Sequence, residues 1–315
     1  MIGEGSCHQP VLLTETLAAL KPRAGGLYVD GTVGYAGHAE ALLQAAPDIR
    51  LIGLDKDEAA LQAAAARLAP YGERVQLYHS NYAHIKQALS ALDCLGTPLA
   101  GVLLDIGVSS PQLDTAERGF SYMKDGPLDM RMDSSSFLTA ADIVNTWEEE
   151  ELSHILYEYG EEKWAKRIAA FIVAERANTP IETTMHLVSV IKKAVPKGAR
   201  EADQHPAKRS FMGLRILVND ELTVLREGLA AAVELLESGG RLAVISFHSL
   251  EDRIVKEKFH YWASACVCPP ELPVCVCGHK PEIKLVNRRP IVAGAEEIKQ
   301  NLRAKSAKLR AAEKL

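Results

Sequence analysis

Val29-Asp30-Gly31-Thr32-Val33-Gly34-Tyr35-Ala36-Gly37-His38 decides the fold of this chain. It reads as a buried strand ending in an acid, then a glycine turn, then the start of a helix. Two further apolar runs end the same way, Leu51-Ile52-Gly53-Leu54 in Asp55 and Gly101-Val102-Leu103-Leu104 in Asp105. Short strands that each deliver a carboxylate at the C-terminal end mark the ligand edge of an open, doubly wound α/β sheet. Glycines there let the backbone turn sharply and approach a ligand without a Cβ clash.

Two ligands suit a glycine loop followed by an acid on the second strand, because that acid accepts from ribose hydroxyls. Dinucleotide loops run G-x-G-x-x-G and set a pyrophosphate on the helix N-terminus. Here the spacing is Gly31-x-x-Gly34-x-x-Gly37, directly after Asp30. A carboxylate at that position repels a pyrophosphate and suits a ligand carrying an ammonium and a sulfonium. The residues therefore favour S-adenosylmethionine over a dinucleotide. Glycines that only close tight turns are the plain alternative.

At 315 residues with 47% hydrophobic content, the chain can build one large domain or two modest ones with full cores. Its net charge of −5 does not suggest nucleic-acid binding, but the charge is uneven. Residues 147–163 hold seven acids and one lysine, Lys280 to Lys314 ten bases against four acids, and Lys192 to Arg215 seven against two. Such local basic surfaces suit RNA even on an acidic protein; an ordinary solvated helix face is the alternative, and the preferred one for the C-terminal stretch. No stretch reaches membrane-spanning length and no signal peptide is visible, so a cytoplasmic location is expected by default. Of six cysteines, Cys7 and Cys94 stand alone, whereas Cys266-x-Cys268 and Cys275-x-Cys277 cluster ahead of His279. Four thiolates suit a tetrahedral zinc, although C-x-x-C is the usual knuckle, and free buried thiols are the alternative.

Strands are expected at 27–30, 51–54, 75–79, 100–105 and 241–247, with helices such as Glu58 to Leu68 and Tyr82 to Leu92 between the first four. About 135 residues separate Asp105 from Arg241, too many for one crossover, so an inserted subdomain is needed. Trp164, Ile168, Phe171 and Ile172 recur at helical spacing within it. Val218, Leu222, Leu225, Leu229, Val233 and Leu236 form a second such stripe, ended by Gly239-Gly240. The expected division is 1–114 with 215–315 as the sheet domain and 115–214 as an all-helical insertion. Ser249-Leu250-Glu251-Asp252 resembles a helix N-cap box. Residues 283–287 and 290–293 read as short edge strands, and 295–315 as a terminal basic helix.

Asp105-Ile106-Gly107-Val108-Ser109-Ser110-Pro111-Gln112-Leu113-Asp114 leaves the C-terminal edge of a central strand, where a catalytic loop belongs. Methyl transfer to an exocyclic base amine needs an acceptor for the amine proton and in-line positioning, since the lone pair is conjugated with the ring. Asp105 and the backbone around Ser109 and Pro111 meet that need. Amino methylases of adenine and cytosine place an acid, two prolines and an aromatic here, and this loop departs from them. A C5-cytosine mechanism requires a cysteine nucleophile, and none lies between Asp105 and Arg215. A turn that stops a strand also explains Ser109-Ser110-Pro111. His8 reads as a site residue or a helix-entry cap. Tyr82, after the third strand, is placed to stack on adenine or to fill the core. Arg118 to Pro127 mixes cations and aromatics in a glycine-punctuated loop that can clamp an unpaired base, or simply bury two rings.

The chain resembles the ribosomal RNA small subunit methyltransferase H family, also called RsmH or MraW, over nearly its whole length. The matching motifs are His8-x-Pro10-Val11-Leu12-Leu13-x-Glu15, Asp30-Gly31-Thr32-x-Gly34-x-x-Gly37-His38, the loop from Asp105 to Asp114, and Glu117-Arg118-Gly119-Phe120-Ser121. Asp125 to Met132, Tyr159-Gly160-Glu161-Glu162 and Ser246 to Arg253 complete them. The resemblance implies a Rossmann-like methyltransferase sheet with an inserted helical domain, S-adenosylmethionine as donor, and N4-methylation of a cytosine in 16S rRNA at the ribosomal P site. The implied cofactor contacts are Ala36, Gly37, His38, Asp55, Tyr82, Asp105 and Gln112, joined by Asp30 from the residue reading. The family often carries glycine at the position of Ala36. Arg118, Phe120, Arg131, Lys208 and Arg215 are the candidates to grip RNA. Partners follow as 16S rRNA or the small subunit, with a homodimer left open. The rivals are an amino-methyltransferase on another nucleic acid and a noncatalytic RNA-binding assembly factor.

Overall fold

The computed structural model describes residues 10–200, 204–269, 271–272 and 274–315, so His8 and Cys7 lie outside the described residues. The elements in chain order begin α1 (Leu13–Leu20), β1 (Leu27–Asp30), α2 (Gly37–Ala45), β2 (Arg50–Asp55), α3 (Glu58–Leu68), β3 (Val75–His79), α4 (Ile85–Ala91) and β4 (Leu99–Asp105). Six helices follow: α5 (Ser110–Asp114), α6 (Ala140–Thr146), α7 (Glu149–Glu158), α8 (Ala165–Arg176), α9 (Thr184–Ala194) and α10 (Lys208–Val218). The chain closes with α11 (Glu221–Leu235), β5 (Leu236–Ser246), α12 (Ser249–Ala263), β6 (Ile283–Leu285), β7 (Ile291–Val292), α13 (Ala295–Gln300) and β8 (Lys308–Lys314).

Two compact units result, one of residues up to Gly107 with Leu222–Leu315, the other Val108–Glu221. The second unit is wider at both ends than the 115–214 span read from the sequence.

The first unit is one eight-stranded sheet in the order β3-β2-β1-β4-β5-β8-β6, with β7 also on β8. β3, β2, β1, β4 and β5 run parallel, and the order reverses between β1 and β4, the switch point where such sheets bind ligands. Parallel strands covered on both faces read as continuous apolar runs. Accordingly Leu51, Ile52, Leu54, Val102, Leu103 and Leu104 are all buried. Register sets Asp30 beside Gly53 and Leu103, so Asp55 and Asp105 each extend two residues beyond it.

Four expectations are corrected here. The 295–315 segment is not a terminal helix. Only Ala295–Gln300 is α-helical, and Lys308–Lys314 is a strand inside the sheet, antiparallel to β5 and to the short β6 and β7. Its bases are held by partners: Arg310 and Lys308 both bond Asp252 on α12, at 2.6 and 3.0 Å. Glu313 accepts from Arg241 on β5 at 2.8 Å. With those charges met, Leu309 and Ala311 are buried, and tertiary pairing overrides helix propensity. Second, Gly239-Gly240 does not end a helix but lies in β5, after α11 has stopped at Leu235. Third, Val218 ends α10, and Asp220 at φ +46° breaks the chain before α11. Fourth, the cap of α12 is His248 rather than Ser249, with Glu251 closing the box.

The second unit is helical about a core that includes Ile143, Leu152, Ile155, Ile168, Ile172, Leu187, Ile191, Phe211 and Leu214. Ile168 and Ile172 are buried one turn apart on α8, following the spacing in the sequence. Among the described residues, no helix is long and apolar enough to cross a membrane.

Candidate active site

The site forms where β1, β2 and β4 end. The loop after β1 is stitched to both neighbours: Gly31 N–H donates to Leu103 O at 2.9 Å, and Val33 N–H to Leu54 O at 2.8 Å. Thr32 Oγ1 accepts from Asp105 N–H at 2.7 Å. A Cβ on Gly31 would lie 2.6 Å from Leu104 Cδ2 and 2.9 Å from Tyr82 Cβ, so only glycine passes there. Gly34 and Ala36 both take the left-handed conformation, at φ +50° and +61°. That geometry explains why glycine suits the Ala36 position. No side chain caps α2, which starts at Gly37.

Each carboxylate has a distinct environment. Asp55 holds the loop, with Oδ2 accepting Gly34 N–H at 2.8 Å and Oδ1 accepting Asp57 N–H at 2.9 Å. Each oxygen keeps a second lone pair for an incoming hydroxyl. Burial raises its pKa, and the two backbone donors resist that rise. Asp30 is only 1% exposed and turned into its own turn, accepting Thr32 N–H at 3.1 Å. Burial pushes it up to about 7, Thr32 pulls it down, and the charge of Asp55 adds to the rise. Asp30, expected to hold the methionine portion, is thus tied into the glycine loop whose turn it shapes.

Asp105 is the exceptional group. Its Oδ1 is buried with no hydrogen-bond partner among the described residues. Its Oδ2 lies 3.5 Å from His38 Nδ1. Burial, then the charges of Asp30 and Glu251, push Asp105 up to about 8. His38 Nε2 is 2.9 Å from Val11 O, a carbonyl that can only accept, so Nε2 carries the proton. His38 Nδ1 is the ring nitrogen left facing Asp105. An orphaned buried acceptor signals a missing partner, here one that donates or carries positive charge.

Tyr82 is half-buried, its ring packed so closely to Gly228 that a Cβ there would meet it at 2.4 Å. The structure thus brings together Asp30, Ala36, Gly37, His38, Asp55, Tyr82 and Asp105 in the first unit. Ser109, Pro111 and Gln112 belong to the second unit, at the start of α5. There Ser109 N–H donates to Gln112 Oε1 at 3.0 Å and Gln112 N–H to Ser109 Oγ at 3.4 Å, a capping box.

The RNA candidates separate sharply. Phe120 is 4% exposed in the helical core, so it offers no face for a base, and its assignment is corrected. Arg118 donates to the carbonyls of Arg131 and Met132 at 3.1 and 2.8 Å. Arg131 pairs with Asp129 and Arg215 with Glu221, both through two nitrogens. Those three arginines organise the second unit from within. Lys208 is exposed at the start of α10.

Sequence reasoning missed a cavity of about 350 Å³ in this unit, lined by Lys163, Trp164, Arg200, His205 and Arg209 among others. The basic run from Lys192 to Arg215 signalled it, but pairing it with Trp164 on another helix end needs the fold.

The chain matches the MraW methylase family over residues 5–315. It is 57% identical over 310 residues to the ribosomal RNA small subunit methyltransferase H of Symbiobacterium thermophilum, covering 98% of this chain and 96% of that one. The protein of that name from Geotalea daltonii is 56% identical over 309 residues, 98% of each chain. That from Heliobacterium mobile is 53% identical over 309 residues, 98% of this chain and 99% of that one. A glycine loop ringed by three acids and a match spanning nearly every residue agree: the chain belongs to the MraW methylase family.

Proposed function

We propose that this chain methylates the exocyclic N4 amine of a cytosine in 16S rRNA, at the P-site region of the small ribosomal subunit, using S-adenosylmethionine. The observation that carries the reading is Asp105, a buried carboxyl with an orphaned oxygen at the switch point of the sheet. The donor brings a methyl carbon on a positively charged sulfur. The residues present fit such a group, because three acids crowd the loop and repel a pyrophosphate. The names of the relatives support small-subunit rRNA as the substrate class. The N4 position and the P site rest on the motif resemblance.

Asp55 accepts from ribose hydroxyls with the lone pairs its loop bonds leave open. Asp30 and Asp105 supply the negative potential that holds a cation in a dry site, where charge acts strongly. Asp105 also orients the amine so that its nitrogen faces the methyl carbon. Tyr82 bounds the adenine side. The second unit holds the RNA through exposed cations such as Lys208 and through the basic cavity beside Trp164. The target base must leave its stack, at a cost of a few kcal/mol that is least for an unpaired nucleotide.

Transfer of labelled methyl from the donor to 30S subunits, naked 16S rRNA and DNA tests the reading. Label in small-subunit RNA, lost on Asp55→Ala, supports it. Label only in DNA favours another amino-methyltransferase. No donor binding in calorimetry favours a noncatalytic assembly factor.

A further inference from the structure

We propose that Cys266, Cys268, Cys275 and Cys277 form a structural zinc site that folds the segment between α12 and β6. The four sulfurs lie within 4.8 Å of one another. A tetrahedral zinc at about 2.3 Å from each sulfur requires sulfurs about 3.8 Å apart. Cys275 and Cys277 are 3.6 Å apart, and Cys277 and Cys266 3.9 Å. Those separations are far beyond a disulfide bond, which needs about 2.05 Å. These two separations match edges of one tetrahedron, and all four sulfurs lie close enough to share it.

The surroundings suit thiolates. Backbone N–H groups point at the sulfurs: Cys268 N–H at Cys266 Sγ, Val276 N–H at Cys268 Sγ and His279 N–H at Cys277 Sγ, each 3.4 Å, and Val267 N–H at Cys277 Sγ, 3.5 Å. Such outer contacts stabilise negative sulfur and orient it. His279 is not a ligand, because its Nε2 is 3.0 Å from Tyr261 O and its ring packs on Tyr261 at 4.8 Å. Four protein ligands leave no open position, so the site is structural rather than catalytic. On binding, four thiols release four protons and one divalent ion takes four sulfur–metal bonds.

The segment needs such a staple. Among the described residues of the segment, Val267, Leu272, Val274 and Val276 are exposed, the last two by 70% and 77%, so these side chains give it no core. Yet it positions β6, which pairs with β8. Metal binding supplies the folding energy that apolar burial does not.

Elemental analysis of the full chain, purified without a histidine tag from cells supplied with zinc and iron, tests the proposal. One zinc per chain is expected, released by a thiol-blocking mercurial. Cobalt loaded in its place gives the thiolate charge-transfer and tetrahedral d–d absorption of a four-sulfur site. Cys277→Ser is expected to drop zinc well below one per chain, whereas Cys94→Ser retains it. Chelation of the wild-type chain lowers its melting temperature and opens residues 264–282 to protease. Metal-free protein, iron in place of zinc, cobalt without thiolate bands, full zinc in Cys277→Ser, or disulfides mapped among the four cysteines would each overturn the proposal. The wild-type measurements decide even where a cysteine variant fails to fold.

Discussion

Asp105 joins two consequences that pull in opposite directions. Unfolded, an aspartate loses its proton near 3.8; folded, Asp105 keeps it up to about 8. Between those values the folded state binds more protons, so this group makes stability fall as pH rises. Asp105→Asn removes that penalty, and near pH 9 the apo variant is expected to melt a few degrees higher than the wild type, by calorimetric scanning. The same variant loses methyl transfer. A cationic donor favours the ionised carboxyl, so donor affinity is expected to rise from pH 6 to 9, with protons released on binding. Titration calorimetry in buffers of different ionisation enthalpy checks this, and a flat profile would contradict the role given to Asp105. Ala36 makes a second case. Its φ of +61° costs an L-residue on the order of 1 kcal/mol. Ala36→Gly is therefore expected to stabilise the fold by up to about 1 kcal/mol in urea unfolding.

The ion-paired β8 depends on one buried acid. Asp252 is held below the usual carboxylate range: burial alone would raise it, but Arg310 and Lys308 outweigh burial. Arg310→Ala leaves that acid with Lys308 alone and is expected to cost about 2 kcal/mol, read as a lower urea midpoint. The contribution of Asp252 is present above the ordinary aspartate range and is lost as acid titrates it. This strand also shows where the sequence stopped being legible. β1, β2 and β4 announce themselves through apolar runs, because both faces of these parallel strands are buried. Lys308-Leu309-Arg310-Ala311-Ala312-Glu313-Lys314 has a helix former's composition, and its bases look solvated until Asp252 is found beside Lys308 and Arg310. The acids of the candidate site were readable because strand ends fix their place. The burial of Phe120 was not, because a ring in a glycine-rich loop looks the same whether it stacks on a base or fills a core.

At the scale of the molecule, the proposed function assigns donor chemistry and RNA contact to different units. The acids lie in the sheet, and the basic cavity and Lys208 in the helical unit. Reversing Lys163 and Lys208 to Glu is expected to lower turnover on 30S subunits about tenfold while leaving donor affinity unchanged. The salt dependence of RNA binding should flatten by about one unit of slope per lost phosphate contact. A matching loss of donor affinity would contradict that division. The central claim, one cytosine amine methylated by this pocket, is tested most directly by nucleoside mass spectrometry of 16S rRNA from cells deleted for the protein. N4-methylcytidine at the P-site position should vanish on deletion, return with the wild-type chain and stay absent with Asp105→Asn. Unchanged modification in the deletion strain would contradict the account.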